Sequence, residues 1–203
     1  MNLLKLLGFK KKTVEDKPSS VIKDAPYGYK DILHLWEDDY LMLELLPNDN
    51  LDFVKVETQR INNFAQEHFD GNGFTDITPI SEKPVKTIEK LIDLQEVESI
   101  LTKAGLEKIG QFHMQDVGLL QGDKAPLGFG SNRFAIMCDK ENNFLKNIWV
   151  TGHTDTEDEK HKLGHALLSI GHTYNFIAVN WYQGQYYNLS EKESVEDFVK
   201  NSC

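Results

Sequence analysis

The hydrophobic pattern of this chain changes period several times, and each change marks an element. "DILHLWEDDYLMLELLP" holds two apolar, aromatic-rich runs, 31–36 and 40–46, around the polar tip Glu37, Asp38 and Asp39. That predicts a β-hairpin with Leu41, Leu43 and Leu45 on one face. Asn48, Asp49 and Asn50 then offer N-caps for a helix to about position 69, with Leu51, Val54, Ile61, Phe64 and Ala65 as its apolar stripe. "DGNG" breaks the chain. A second helical stretch starts at Pro84 and runs through Ile88, Leu91, Val97 and Leu101 to Gly105, with Asp93 and Glu96 placed to divide it in two.

From Leu106 the period shortens. "LEKIGQFHMQDVGLL", "RFAIMCD", "NFLKNIWVT" and "YNFIAVNWYQGQYYNL" read as strands, separated by the glycine-rich loop "QGDKAPLGFG", the turn "DKENN" and one helix over 157–170. Ser190 and Glu193 stand in capping-box spacing before a closing helix that carries Val195, Phe198 and Val199. Strands and helices come in blocks, without regular βα alternation. The expected fold is therefore α+β, an antiparallel or mixed sheet with helices packed mainly on one face, formed by a single domain over 30–203.

Ahead of that domain, residues 1–29 read as a flexible basic arm, because 10–29 are polar and aperiodic and carry Pro18, Pro26 and Gly28. Its opening "NLLKLLGF" spaces Leu3, Leu4 and Leu7 as a short amphipathic helix that needs a surface to dock on. Charge sharpens this division. Residues 1–30 sum to +4, while the remaining 15 basic and 29 acidic residues sum to -14. An acidic body repels nucleic acid and favours basic partners. No run is long and apolar enough for a membrane helix, and the first residues make a poor signal peptide, so a cytoplasmic location is expected. Membrane contact is confined to residues 1–12 as a minor option. Cys138 lies in an apolar run, and Cys203 reads as a mobile terminal thiol; two cysteines build neither a disulfide framework nor a zinc set.

Candidate chemistry concentrates in "TGHTDTEDEKHKLGHALLSIGHTYNF". Thr156 and Glu159 have capping-box spacing, Gly171 stands where a C-terminal glycine belongs, and Leu163, Ala166, Leu167 and Ile170 form an inward stripe. At about 100° per residue His161 and His165 fall opposite that stripe, with Asp158 close by on the same face. An i, i+4 histidine pair is a zinc-binding spacing, but "HKLGH" lacks the glutamate of HExxH, and only His153 or His172 could complete a ligand set through loop geometry. A solvent- or partner-facing helix is the expected reading, with no metal and no cofactor; if a metal binds, His161 and His165 hold it. "DGNGFTD" has the wrong residues at the ligand positions of a calcium loop, and "LGFGSNRF" completes no phosphate-binding pattern.

The second candidate is the tip "WEDDY". Three successive acids either stay solvated or face a cationic partner, and Trp36 and Tyr40 beside Glu37, Asp38 and Asp39 could anchor it. Together "HLWEDDYLMLELLP", the acidic body, the α+β order and the ending "VNWYQGQYYNLSEKESVEDFVKN" resemble the small bacterial immunity proteins of contact-dependent and polymorphic toxin systems. The resemblance implies a non-catalytic cytoplasmic protein that binds and blocks a cognate basic toxin domain, commonly a nuclease. The expected partner-binding residues are Trp36, Glu37, Asp38, Asp39, Tyr40, Asp158, His161 and His165. The alternatives are a metal-dependent enzyme built on the histidine pair and a membrane-peripheral structural protein using the leucine- and lysine-rich start. Oligomeric state does not follow from the sequence.

Overall fold

A computed structural model describes residues 32–73, 75–114 and 117–203; the N-terminal arm with its leucine segment, and Asp31, lie outside the described residues. The architecture is α+β, as the order of elements implies. Its centre is a seven-stranded antiparallel sheet in the order β10, β9, β2, β8, β7, β6, β3. The strands are β2 (Leu43–Pro47), β3 (Glu107–Lys108), β6 (Leu127–Gly130), β7 (Phe134–Glu141), β8 (Phe144–Gly152), β9 (Phe176–Asn180) and β10 (Gln185–Asn188). A smaller sheet pairs β1 (Leu33–Leu35) parallel to β4 (Gln111–Met114), which runs antiparallel to β5 (Gly118–Gln121).

Side-chain alternation sorts the layers. Leu43, Leu45, Ile136, Cys138, Ile148, Val150, Phe176 and Ala178 point to one face, where they are buried by three helices. These are α2 (Leu94–Lys103), α3 (Glu157–Tyr174) and α4 (Lys192–Ser202), contributing Val97 and Leu101, the Leu163 to Ile170 stripe, and Val195, Phe198 and Val199. On the opposite face Ala135, Met137 and Trp149 meet Leu33, Leu35, Phe112, Met114 and Leu120 of the small sheet. Beside them Leu46, Ile177 and Val179 meet Val54 of α1 (Leu51–Glu67). Three of the four α-helices among the described residues thus share a face. The second face also buries Glu44, which receives the Lys83 ammonium at 2.7 Å and the Trp181 indole N–H at 3.2 Å. Burial still pushes the Glu44 carboxyl above the usual range, against the pull of Lys83.

Several sequence expectations change here. Residues 31–46 form no hairpin: β1 joins the small sheet and β2 enters the large one between β8 and β9. Leu41 leaves the face of Leu43 and Leu45, adopts a φ of 59° in the connecting turn and packs on the second cluster. Asn50 starts α1 without capping it; its amide exchanges hydrogen bonds with the backbone of Val85 at 2.9 and 3.0 Å and pins the segment before α2. The 84–105 stretch does divide, into a short 3-10 turn (Thr87–Lys90) and α2, whose N-cap is Asp93. Part of the glycine-rich loop is strand β6. The Thr156 and Glu159 capping box is present, but α3 continues past Gly171 to Tyr174 and stops at Asn175, whose φ is 54°. Ser190 does not cap α4; its hydroxyl donates to the Gly171 carbonyl at 3.0 Å. Cys203 is packed against the main core, where burial pushes its thiol up to about 12, so it is not a loose terminal group. None of the described helices is long and apolar enough to cross a membrane.

Candidate functional site

The acidic tip is a single 3-10 turn, Glu37–Asp39, held by the N–H of Asp39 donating to the Trp36 carbonyl at 3.2 Å. Its entry is fixed by Leu33 and Leu35, buried in the second cluster, and its exit by Leu43 in the large sheet. The five residues singled out from the sequence then divide. Trp36 is 53% exposed. Tyr40 goes inward: its ring meets Trp149 edge-on at 4.9 Å, and its hydroxyl donates to Asp139 Oδ2 at 2.6 Å and accepts from Asn147 at 3.2 Å. Burial, with Asp139 beside it, raises the Tyr40 hydroxyl far above the usual tyrosine range. Tyr40 therefore anchors the turn to the fold.

A residue with no obvious sequence signal takes the rim position. Tyr182, just past β9, is 56% exposed and donates its hydroxyl to Asp39 Oδ1 at 2.7 Å and to the Asp38 carbonyl at 3.2 Å. It ties the acidic turn to the β9–β10 connection, so Trp36 and Tyr182 flank the carboxylates. Between them opens a cleft of about 500 Å³ at the ends of β2, β8 and β9, lined also by His34, Arg133, His153 and Asn180.

Arg133 comes from the turn joining β6 to β7, within the "LGFGSNRF" stretch, where its guanidinium is held rather than cradling an anion. Its Nε donates to Glu159 at 3.2 Å and its Nη1 to Asp155 at 3.1 Å. Burial alone would raise the Glu159 carboxyl. The N–H groups of Asp155 and Thr156, the Thr156 hydroxyl and Arg133 outweigh it and hold the carboxyl down at about 2. His153 lies 3.5 Å from the other oxygen of Asp155.

The histidine helix makes a second, separate locus. His161 and His165 are exposed and line a groove of about 870 Å³ between α3 and α4, floored by Gly164, Leu168, Val195 and Val199. Asp158 lies outside its lining and pairs with Lys162 at 2.6 Å. Neither histidine considered as a third ligand joins the pair: His153 lines the cleft, and His172 contacts the Ser190 carbonyl at 3.0 Å. Among the described residues no group of three or more His, Cys, Asp or Glu side chains could hold a metal ion. Cleft and groove share no residue: of the eight residues expected to bind a partner, Trp36 and Asp39 line the cleft, His161 and His165 line the groove, and Glu37, Asp38, Tyr40 and Asp158 line neither. Compared with known proteins, the chain matches no family model, no curated protein and no solved structure.

Proposed function

We propose that this chain is a non-catalytic cytoplasmic immunity protein, an acidic domain that neutralises a cognate basic toxin domain by binding it. The observation that carries the reading is the acidic turn beside the cleft, of which Asp39 lines the cleft itself. Three successive carboxylates, Glu37, Asp38 and Asp39, are presented on a turn braced by Tyr182 and flanked by two half-exposed aromatic rings. Aromatic side chains supply much of the binding energy at protein interfaces, and flanking carboxylates steer a cationic partner toward them. The charge of -14 on residues 31–203 acts in the same direction at longer range.

The test is calorimetric titration with the product of the gene adjacent to this chain's own, at low and high salt. Binding that weakens about tenfold or more between roughly 50 and 300 mM salt is the expected result, because exposed charges are screened over about 10 Å at 0.1 M. Absence of binding, or affinity indifferent to salt, overturns the reading.

A further inference from the structure

Building on that binding reading, we infer that the cleft at the ends of β2, β8 and β9 is a receptor for one guanidinium side chain of the partner. Charge comes first. The cleft contains Arg133, which would repel a cation if it stood alone. Yet Arg133 donates to both Glu159 and Asp155, so the three groups together carry one negative charge. Asp39 on the rim adds a second. The carboxylates and the guanidinium about the cleft therefore sum to a negative charge, although an arginine lines it.

Shape and dipoles agree with charge. Trp36 and Tyr182 stand half exposed at the mouth, and a planar guanidinium stacks on aromatic faces where a compact ammonium does not. Asp39, which accepts from Tyr182 through Oδ1, supplies the rim carboxylate for an incoming guanidinium. The last residues of α4, Asn201 and Ser202, line the inner wall, where the carbonyl end of the helix adds partial negative charge. Asn180 is buried and already fixed, its amide nitrogen donating to the Ser202 hydroxyl at 3.0 Å and its oxygen accepting the Gln183 N–H at 3.1 Å. The wall is thus pre-set before a ligand arrives.

Nα-acetyl-arginine amide is the probe, and its neutral isostere Nα-acetyl-citrulline amide is the control. Both are titrated into the full chain while the indole N–H of Trp36 is followed by NMR. Saturable binding of the arginine compound with a Kd on the order of millimolar is expected, with citrulline at least about tenfold weaker. Asp39→Asn keeps an acceptor for Tyr182 and should remove most of that discrimination, and Trp36→Ala should weaken the arginine compound several-fold. Equal binding of the two compounds, or unchanged arginine binding in both variants, overturns the assignment. The two proposals fail separately. A chain that binds the toxin domain but not the arginine probe loses the cleft and keeps the immunity reading, and the reverse outcome loses the immunity reading and keeps the cleft.

Discussion

Helix α3 contains two glycines, and replacing each with alanine should change stability in opposite directions. Alanine is favoured over glycine in a helix interior by about 1 kcal/mol, so propensity alone makes both changes stabilising. Gly164 offers room: a Cβ there meets only Val195 Cγ1, at 3.8 Å, an ordinary contact. Gly171 offers none. A Cβ there would lie 2.1 Å from the Leu189 carbonyl oxygen and 2.2 Å from its carbon, against ordinary contacts of 3.4 Å or more. The obstacle is backbone, and it is tethered: Leu189 N–H donates to Phe176 at 3.2 Å, and Ser190 bonds the Gly171 carbonyl itself. To accept the methyl, α3 must move by more than an ångström away from the chain that links β10 to α4. Overpacking of this kind costs about 1–3 kcal/mol or more, and rigid backbone places it at the upper end, leaving Gly171→Ala net destabilised by about 2 kcal/mol. For a domain of this size that lowers Tm by about 4–8 °C, while Gly164→Ala should gain about 0.5–1 kcal/mol. Urea unfolding followed by far-UV circular dichroism and tryptophan fluorescence gives both values from one experiment. If Gly171→Ala is as stable as the parent, close packing is not why glycine stands there.

Glu159 is held down at about 2 against an ordinary 4.5, so it stabilises the fold above about pH 4.5 and loses that contribution as pH falls toward 2. The shift corresponds to about 3 kcal/mol, reduced to about 2 by solvent around Arg133, and Glu159→Gln should flatten the acid limb of a stability-versus-pH curve by that amount. An acid limb identical to the parent's would refute the linkage. Tyr40→Phe removes a hydroxyl bonded to Asp139 and Asn147 and should cost about 1–2 kcal/mol in chemical denaturation; unchanged stability would return Tyr40 to the list of interface anchors. If the α3–α4 groove contacts the partner, His161→Ala, which truncates an exposed side chain lining it, should weaken binding several-fold in calorimetric titration, and unchanged affinity would remove that histidine from the interface.

How far the sequence could be read depends on whether a feature is local. Helix α3 was legible because its capping box, first-turn acids and leucine stripe all lie within one short segment. The ending was legible as a hairpin, β9 and β10, followed by α4 for the same reason. The supposed hairpin failed because two adjacent apolar runs with a polar tip satisfy any local rule, whereas their partners are chosen at a distance. Strand β2 is buried on both faces, and a hairpin arm buries one. The glycines of "LGFG" read as loop because what they serve is far away: a Cβ at Gly128 would strike Met137 Sδ and Phe112 Cζ at 2.7 and 2.8 Å. Gly171 was misread as a helix stop by the same error, packing taken for punctuation. The cleft could not be seen at all in one dimension. Its members come from β1, the turn after it, the start of β2, the β6–β7 turn, the end of β8, the end of β9 and the turn after it, and the last turn of α4, and none of those pieces carries a motif.

The position of β2 also determines how the chain can fold. It is made early, yet its neighbours on either side, β8 and β9, are made more than a hundred residues later, and β8 takes only Leu43 and Glu44 while β9 pairs the whole strand. Until β9 emerges, five residues that end up buried on both sides have no lasting partner, and the sheet exists as a β6–β7–β8 meander with one raw edge. Long-range closures of this kind slow folding and prolong the exposure of sticky segments. A nascent chain halted before residue 176 should therefore accumulate as an open, chaperone-dependent species, with Glu44 as the one charge within the otherwise apolar β2 segment.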